Sequence, residues 1–152
     1  MCGRTFVHKG VLVLVIRVSE GSIPDDVFEA CMVGMKRFAS TQKRTPFNYH
    51  LVLDLHRTIS IPMENMITLN QHLVKKEHIL RPNLVSATYI VQGRMMAKIM
   101  ESMFSMFGTW VTSQTLECYP NGSTDDSGHG IPECVLPKVL DFMQSEALQK
   151  GL

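Results

Sequence analysis

The sequence lacks the features that mark membrane-spanning, secreted and nucleic-acid-binding proteins. Its 15 Lys and Arg nearly balance 14 Asp and Glu, and the formal net charge of +1 provides no global attraction to nucleic acid or to an anionic membrane. The longest apolar run, residues 11–16, is far shorter than the roughly 20 residues that a membrane-spanning helix requires. The N-terminus shows no basic segment followed by a long apolar one, so we expect no secretory signal and a cytoplasmic protein.

Motifs that carry catalytic or metal chemistry are also missing. None of the six histidines lies four residues from another, the spacing that places two metal ligands on one helical face. No glycine-rich phosphate-binding loop occurs. We therefore predict a non-enzymatic protein with no catalytic residues, no metal site and no cofactor. The four cysteines show no CxxC spacing, which favours buried free thiols over a disulfide or metal set: Cys2, Cys31, Cys118 and Cys134.

The chain has the apolar content of a globular domain. Hydrophobic residues make up 45% of the 152 residues, enough to bury a substantial core. No internal repeat is evident, and the only loop-like tract of polar and small residues covers 120–130. We therefore predict one α/β domain over residues 1–152.

Short apolar runs alternate with helical stripes along the chain. The runs are typical of strands covered on both faces, and the first two are expected to form a hairpin that turns near Lys9-Gly10. This order predicts a four- to five-stranded, mostly parallel sheet covered by about four helices. The predicted strands are 4–8, 11–18, 49–55, 84–91 and 111–119, and the predicted helices begin near Ser22 and cover 61–78, 94–107 and 132–149. Pro137 either kinks the last helix or lies in its first turn.

Residues 51–65 carry the most information. They predict a buried strand, a short loop and a helix that Ser60 caps, which places a loop and a helix N-terminus at the carboxyl end of a strand, where α/β sheets bind ligands and partners. We expect Asp54, within the strand, to bond to the backbone of a neighbouring loop. Glu64, in the first helical turn, suits the helix dipole.

This segment resembles the STAS domain, the anti-sigma-factor-antagonist fold. Residues 52–55 read V-L-D-L, as in that family; six residues ending in Ile61 follow, and residues 62–65 then stand where the family has D-S-S-G. The element order is also similar. The resemblance implies partner recognition at this loop, with Glu64 as a fixed negative charge in place of the family's switch serine and Met63 in place of its neighbour. Glutamate is also common in first turns for the dipole reason alone.

We therefore predict a protein-interaction or scaffold domain that binds a protein partner or a second copy of itself through this loop and helix start. A lone loop histidine such as His56 is also typical of a solvated side chain. The predicted partner-binding residues are His56, Ser60, Pro62, Glu64 and Asn65.

The helix predicted at 94–107 is rich in methionine. The segment from Tyr89 to Trp110 resembles the CRAL-TRIO lipid-binding and SpoIIAA-like relatives of the same fold, which implies, as the alternative function, a small domain that binds a hydrophobic ligand. We expect one face of this helix to meet the sheet through Met96, Met100, Met103 and Phe107. A second apolar face is either an interface or ligand wall, or is buried within the domain, and comprises Met95, Ile99, Met106 and Trp110.

Overall fold

The computed structural model describes residues 2–18, 25–58, 62–107, 112–118 and 129–152. Within them, four α-helices and one five-stranded sheet form an α/β fold, as predicted. The strands are β1 (Cys2–His8), β2 (Val11–Arg17), β3 (Tyr49–Leu55), β4 (Leu84–Val91) and β5 (Ser113–Glu117); the helices are α1 (Asp25–Arg44), α2 (Met63–Leu80), α3 (Gly93–Phe107) and α4 (Leu136–Gln149).

The strands lie in the sheet in the order in which they occur in the chain. Strand β1 is antiparallel to β2 through a two-residue turn in which Lys9 and Gly10 both have positive φ, 49° and 82°, which confirms the predicted hairpin. All other pairs are parallel. Each right-handed crossover adds the next strand at the same edge of the sheet. The three crossover helices α1, α2 and α3 therefore lie on one face, which we call the front face.

The front face is packed by the crossover helices. Phe38 of α1 contacts the ring of Tyr49, with centroids 4.9 Å apart. Met96 and Met100 of α3 are buried against Leu55 and Val91, so the expectation that this methionine face meets the sheet is confirmed for these two residues. Full burial of such a side chain contributes about 1.5–3 kcal/mol to the free energy of unfolding.

The back face is covered by α4. Val52 and Ile90 from the central strands pack there against Val139 and Met143, and all four side chains are fully buried. Pro137 lies in the first turn of α4, so the first-turn alternative is correct and no kink is required. Backbone N–H groups in the first turn have no acceptor within the helix, so the lack of an N–H in proline costs no helical hydrogen bond. One helix thus closes a face that spans several strands.

The helix starts differ in detail from the prediction. Helix α2 begins at Met63, and Pro62 occupies its N-cap position without a side-chain hydrogen bond. Ser60, predicted as the cap, lies outside the described residues, as does Ser22 before α1. The Pro62 backbone is extended, with φ −55° and ψ 136°, and its ring fixes φ, which suits the end of the preceding loop.

A buried polar pair on the back face couples the fold to pH. His50 of β3 is almost fully buried, and its Nδ1 lies 2.7 Å from Oγ of Ser86 on β4. Burial, followed by the charges of His8 and Lys150, lowers the pKa of His50 to about 4. The folded protein therefore holds His50 neutral where an unfolded chain would protonate it.

We expect the free energy of unfolding to fall as the pH falls from 6.5 to about 4, because in that window the unfolded chain binds a proton at His50 that the folded chain does not. The contribution is at most about 3 kcal/mol. Urea titrations at several pH values should show this loss for the wild type and a smaller loss for His50→Asn. Equal pH slopes for the two proteins would contradict this assignment.

Candidate functional site

A buried carboxylate lies at the carboxyl end of β3. Asp54 is fully buried and pairs in the parallel register with Arg17 of β2, whose Nε donates to Oδ2 at 3.0 Å. The backbone N–H of His56 donates to Oδ1 at 3.1 Å, which confirms the expected bond from Asp54 to the adjoining loop. The sequence did not reveal the ion pair with Arg17, because only the strand register places the two residues side by side.

The His56 side chain turns back onto the same carboxylate. Its Nδ1 lies 2.5 Å from Oδ1 of Asp54, and because an ionised carboxylate only accepts, Nδ1 is the donor. His56 is fully buried, so the solvated interpretation is wrong, and its side chain cannot contact a partner directly as predicted. A turn in which the Thr58 N–H donates to the Leu55 carbonyl folds the loop over Asp54. Nε2 of His56 has no hydrogen-bond partner among the described residues.

Two cysteines meet beside this network. The Sγ atoms of Cys118, directly after β5, and Cys134, before α4, lie 2.8 Å apart. Both are free thiols, as predicted, but Cys118 is buried and Cys134 exposed. The pKa of Cys118 is raised to about 12, mainly by burial, then by the Cys134 thiol and by Asp54, while Arg17 opposes this shift. The sequence spacing gave no sign of this pair, because the crossover of the sheet brings the two segments together.

The predicted partner-binding residues fall on different sides of the α2 start. Glu64 is exposed in the first turn, and Pro62 is half-buried. Asn65 is buried, and its Nδ2 has no partner in the described part of the chain, so it does not present a side chain to a partner. Ser60 lies outside the described residues. Glu64 is therefore the predicted residue best placed for contact.

Helix α2 exposes apolar side chains on its outer side. Met63, Ile67 and Val74 are 76%, 52% and 53% exposed. We call these three residues the α2 stripe. The inner side of the helix is formed instead by the partly or fully buried residues Asn65, Leu69, His72, Leu73 and Leu80.

The methionine-rich helix α3 offers less evidence for a second apolar face. Met95 is 78% exposed at its first turn. The side chains of Ile99 and Met106, and residue Trp110 as a whole, lie outside what the structure describes. A hydrophobic-ligand site on this helix therefore stays a prediction.

No protein-family model matches the sequence, and no curated protein matches it significantly. Across the described ranges, none of the helices combines the length and the apolar character needed to cross a membrane. In the same ranges, no three His, Cys, Asp or Glu side chains are grouped in a way that could hold a metal ion.

We expect Asp54→Asn to lower the free energy of unfolding by about 2–4 kcal/mol, because the change leaves Arg17 and His56 without the carboxylate that compensates their burial. Glu77→Gln is the matched control: it removes an ion pair with Arg81 whose side chains are 37% and 55% exposed, and such a pair is worth less than about 1 kcal/mol. Urea denaturation measures both. Similar losses for the two variants would show that Asp54 has no special structural role.

Proposed function

We propose that this chain is a non-enzymatic, STAS-like interaction domain that docks a partner on the first turn and outer side of α2. The observation that carries this proposal is the exposure of the α2 stripe, which begins with the first residue of the helix after β3. The predicted cytoplasmic location and single-domain organisation remain predictions.

The α2 stripe supports a contact surface because the helix is apolar on two sides. Its inner side already packs through Leu69, Leu73 and Leu80. Met63, Ile67 and Val74 follow at i, i+4 and i+11, so they form a line along the opposite side. A helix with apolar residues on all sides is typically buried on all sides. Covering the exposed α2 stripe with another apolar surface would remove apolar area from water, which favours association.

The charges beside the stripe favour a second copy of this chain as the partner. Glu64 and Lys75 are both exposed and lie eleven residues apart, about three turns, on the same flank of the stripe. When two α2 helices pack antiparallel about a two-fold axis, Glu64 of each copy faces Lys75 of the other. Two opposite-charge contacts then form at once.

The same two-fold axis also aligns the apolar residues. It passes midway between Glu64 and Lys75, so Met63 of one copy lies within about two residues of the level of Val74 of the other. Ile67 of each copy lies within about 4 Å of the axis along the helix. The six side chains then form one continuous seam. A single antiparallel register therefore pairs the opposite charges and also aligns the α2 stripes of the two copies.

We expect Ile67→Glu combined with Val74→Glu to leave a folded monomer, because both positions are exposed in the single chain while the seam between copies would bury two like charges on each helix. Val33→Glu on α1 is the control, since Val33 is 48% exposed on a different helix and should not affect association. Sedimentation velocity gives the oligomeric state, and circular dichroism checks the fold. A monomeric wild type over the accessible concentration range would refute self-association.

A charge exchange tests the antiparallel register. Glu64→Lys and Lys75→Glu should each weaken the dimer, because each places like charges opposite one another at both ends of the seam. The double variant should recover most of the affinity, since the pair is restored with its signs reversed. Dimer dissociation constants at low ionic strength measure the effect. A double variant no tighter than the singles would show that these two residues do not face each other.

A further inference from the structure

The paired cysteines form a chemical site that does not depend on the proposed interaction surface. We propose that Cys118 and Cys134 are a reversible dithiol–disulfide site that exchanges with low-molecular-weight disulfides such as oxidised glutathione. Their Sγ atoms are already in contact at 2.8 Å, and each thiol is free. Bond formation between them therefore requires little movement of the chain.

Both cysteines lie on backbone that hydrogen bonds hold in place. The N–H of Cys118 donates to the carbonyl of Val91 at 2.9 Å, which continues the pairing of β5 with β4. Cys134 lies in a turn just before α4, where the N–H of Leu136 donates to the carbonyl of Pro132 at 3.1 Å. The contact thus joins the end of a strand to the start of the helix that covers the back face.

The exposure of the two thiols assigns their roles. Cys134 is exposed, so a soluble disulfide can reach it. Cys118 is 2% exposed and packs with Ile131 and Val135, which shields it from reagents in solution. Cys134 is therefore the thiol that reacts first, and Cys118 is the resolving thiol.

The exchange balances in two steps. The Cys134 thiolate attacks one sulfur of oxidised glutathione; the disulfide bond breaks, and one glutathione leaves as its thiolate, so a mixed disulfide remains on Cys134. Cys118 then loses its proton to water, and its thiolate attacks Sγ of Cys134 and displaces the second glutathione. Two protein thiols are oxidised to one disulfide, and one oxidised glutathione is reduced to two glutathione molecules.

The surroundings of Cys118 make the second step sensitive to pH. Burial, the largest cause of its raised pKa, remains when Cys134 carries glutathione, so the Cys118 thiolate is scarce near neutrality. The thiolate fraction rises about tenfold for each unit of pH below that pKa. Resolution of the mixed disulfide should therefore become about tenfold faster per pH unit between pH 7 and 9 wherever this step limits the rate.

The experiment equilibrates the full chain with mixtures of reduced and oxidised glutathione, followed by alkylation, thiol counting, intact-mass measurement and peptide mapping. The wild type should lose two thiols and two hydrogen atoms of mass, and the bond should map to Cys118 and Cys134. The variant with Cys2→Ser and Cys31→Ser should behave identically, because it retains only this pair. Reduced glutathione in excess should return both thiols.

Single variants separate the two roles. Cys118→Ser should accumulate one glutathione on Cys134, because the resolving thiol is gone, and Cys134→Ser should remain unmodified at the buried Cys118. Circular dichroism confirms that each variant is folded. Four free thiols in the oxidised wild type, a bond to Cys2 or Cys31, glutathione on Cys118 in the folded Cys134→Ser protein, or a disulfide that reduced glutathione cannot open would each overturn the proposal.

Discussion

The buried ionic contact of Asp54 is the constraint on which the arrangement of the central strands depends. A carboxylate with no exposed surface is stable only when charged or hydrogen-bonding partners replace water, and Arg17 and His56 supply them. Arg17 and Asp54 are directly opposite each other in the parallel pairing of β2 and β3. A shift of one residue would turn Asp54 to the front face among the apolar residues of α3, so this ion pair and the apolar pattern specify the same register.

The two faces of the sheet carry different kinds of chemistry for a topological reason. Crossovers that always proceed in one direction place α1, α2 and α3 on the front face, where the packing is mainly aromatic and aliphatic. The back face has only α4 as its described helix, and the polar strand residues point there: Asp54, His50, Ser86 and Thr88. The thiol pair lies where the chain passes to this face. The buried polar groups and the cysteines therefore share the side of the sheet that α4 covers.

Helix α2 shows a conflict between local pattern and tertiary placement. Asn65 and His72 lie inward, and Asn65 Nδ2 and His72 Nε2 lack partners among the described residues, while Met63 and Val74 lie outward. Burial lowers the pKa of His72, and the charges of Lys36, Lys76 and Lys75 lower it further, so the inner side favours neutral groups. Natural sequences depart from local rules mainly at functional positions, which agrees with the interaction surface that we propose on this helix.

The spacing of apolar residues and the positions of turn-forming residues determined the helices and strands and their order, because strand and helix patterns are local. The bounds of β3 and β4 agree with the prediction residue for residue, and Lys9-Gly10 identified the hairpin. Tertiary structure decided which apolar residues of α2 face inward. The helix carries apolar residues on more than one side, so its pattern alone allows two orientations. The burial of His56, its bond to Asp54 and the contact between Cys118 and Cys134 likewise follow from strand register and from the crossover to α4. These are relations between segments distant in the chain, and no local pattern encodes them.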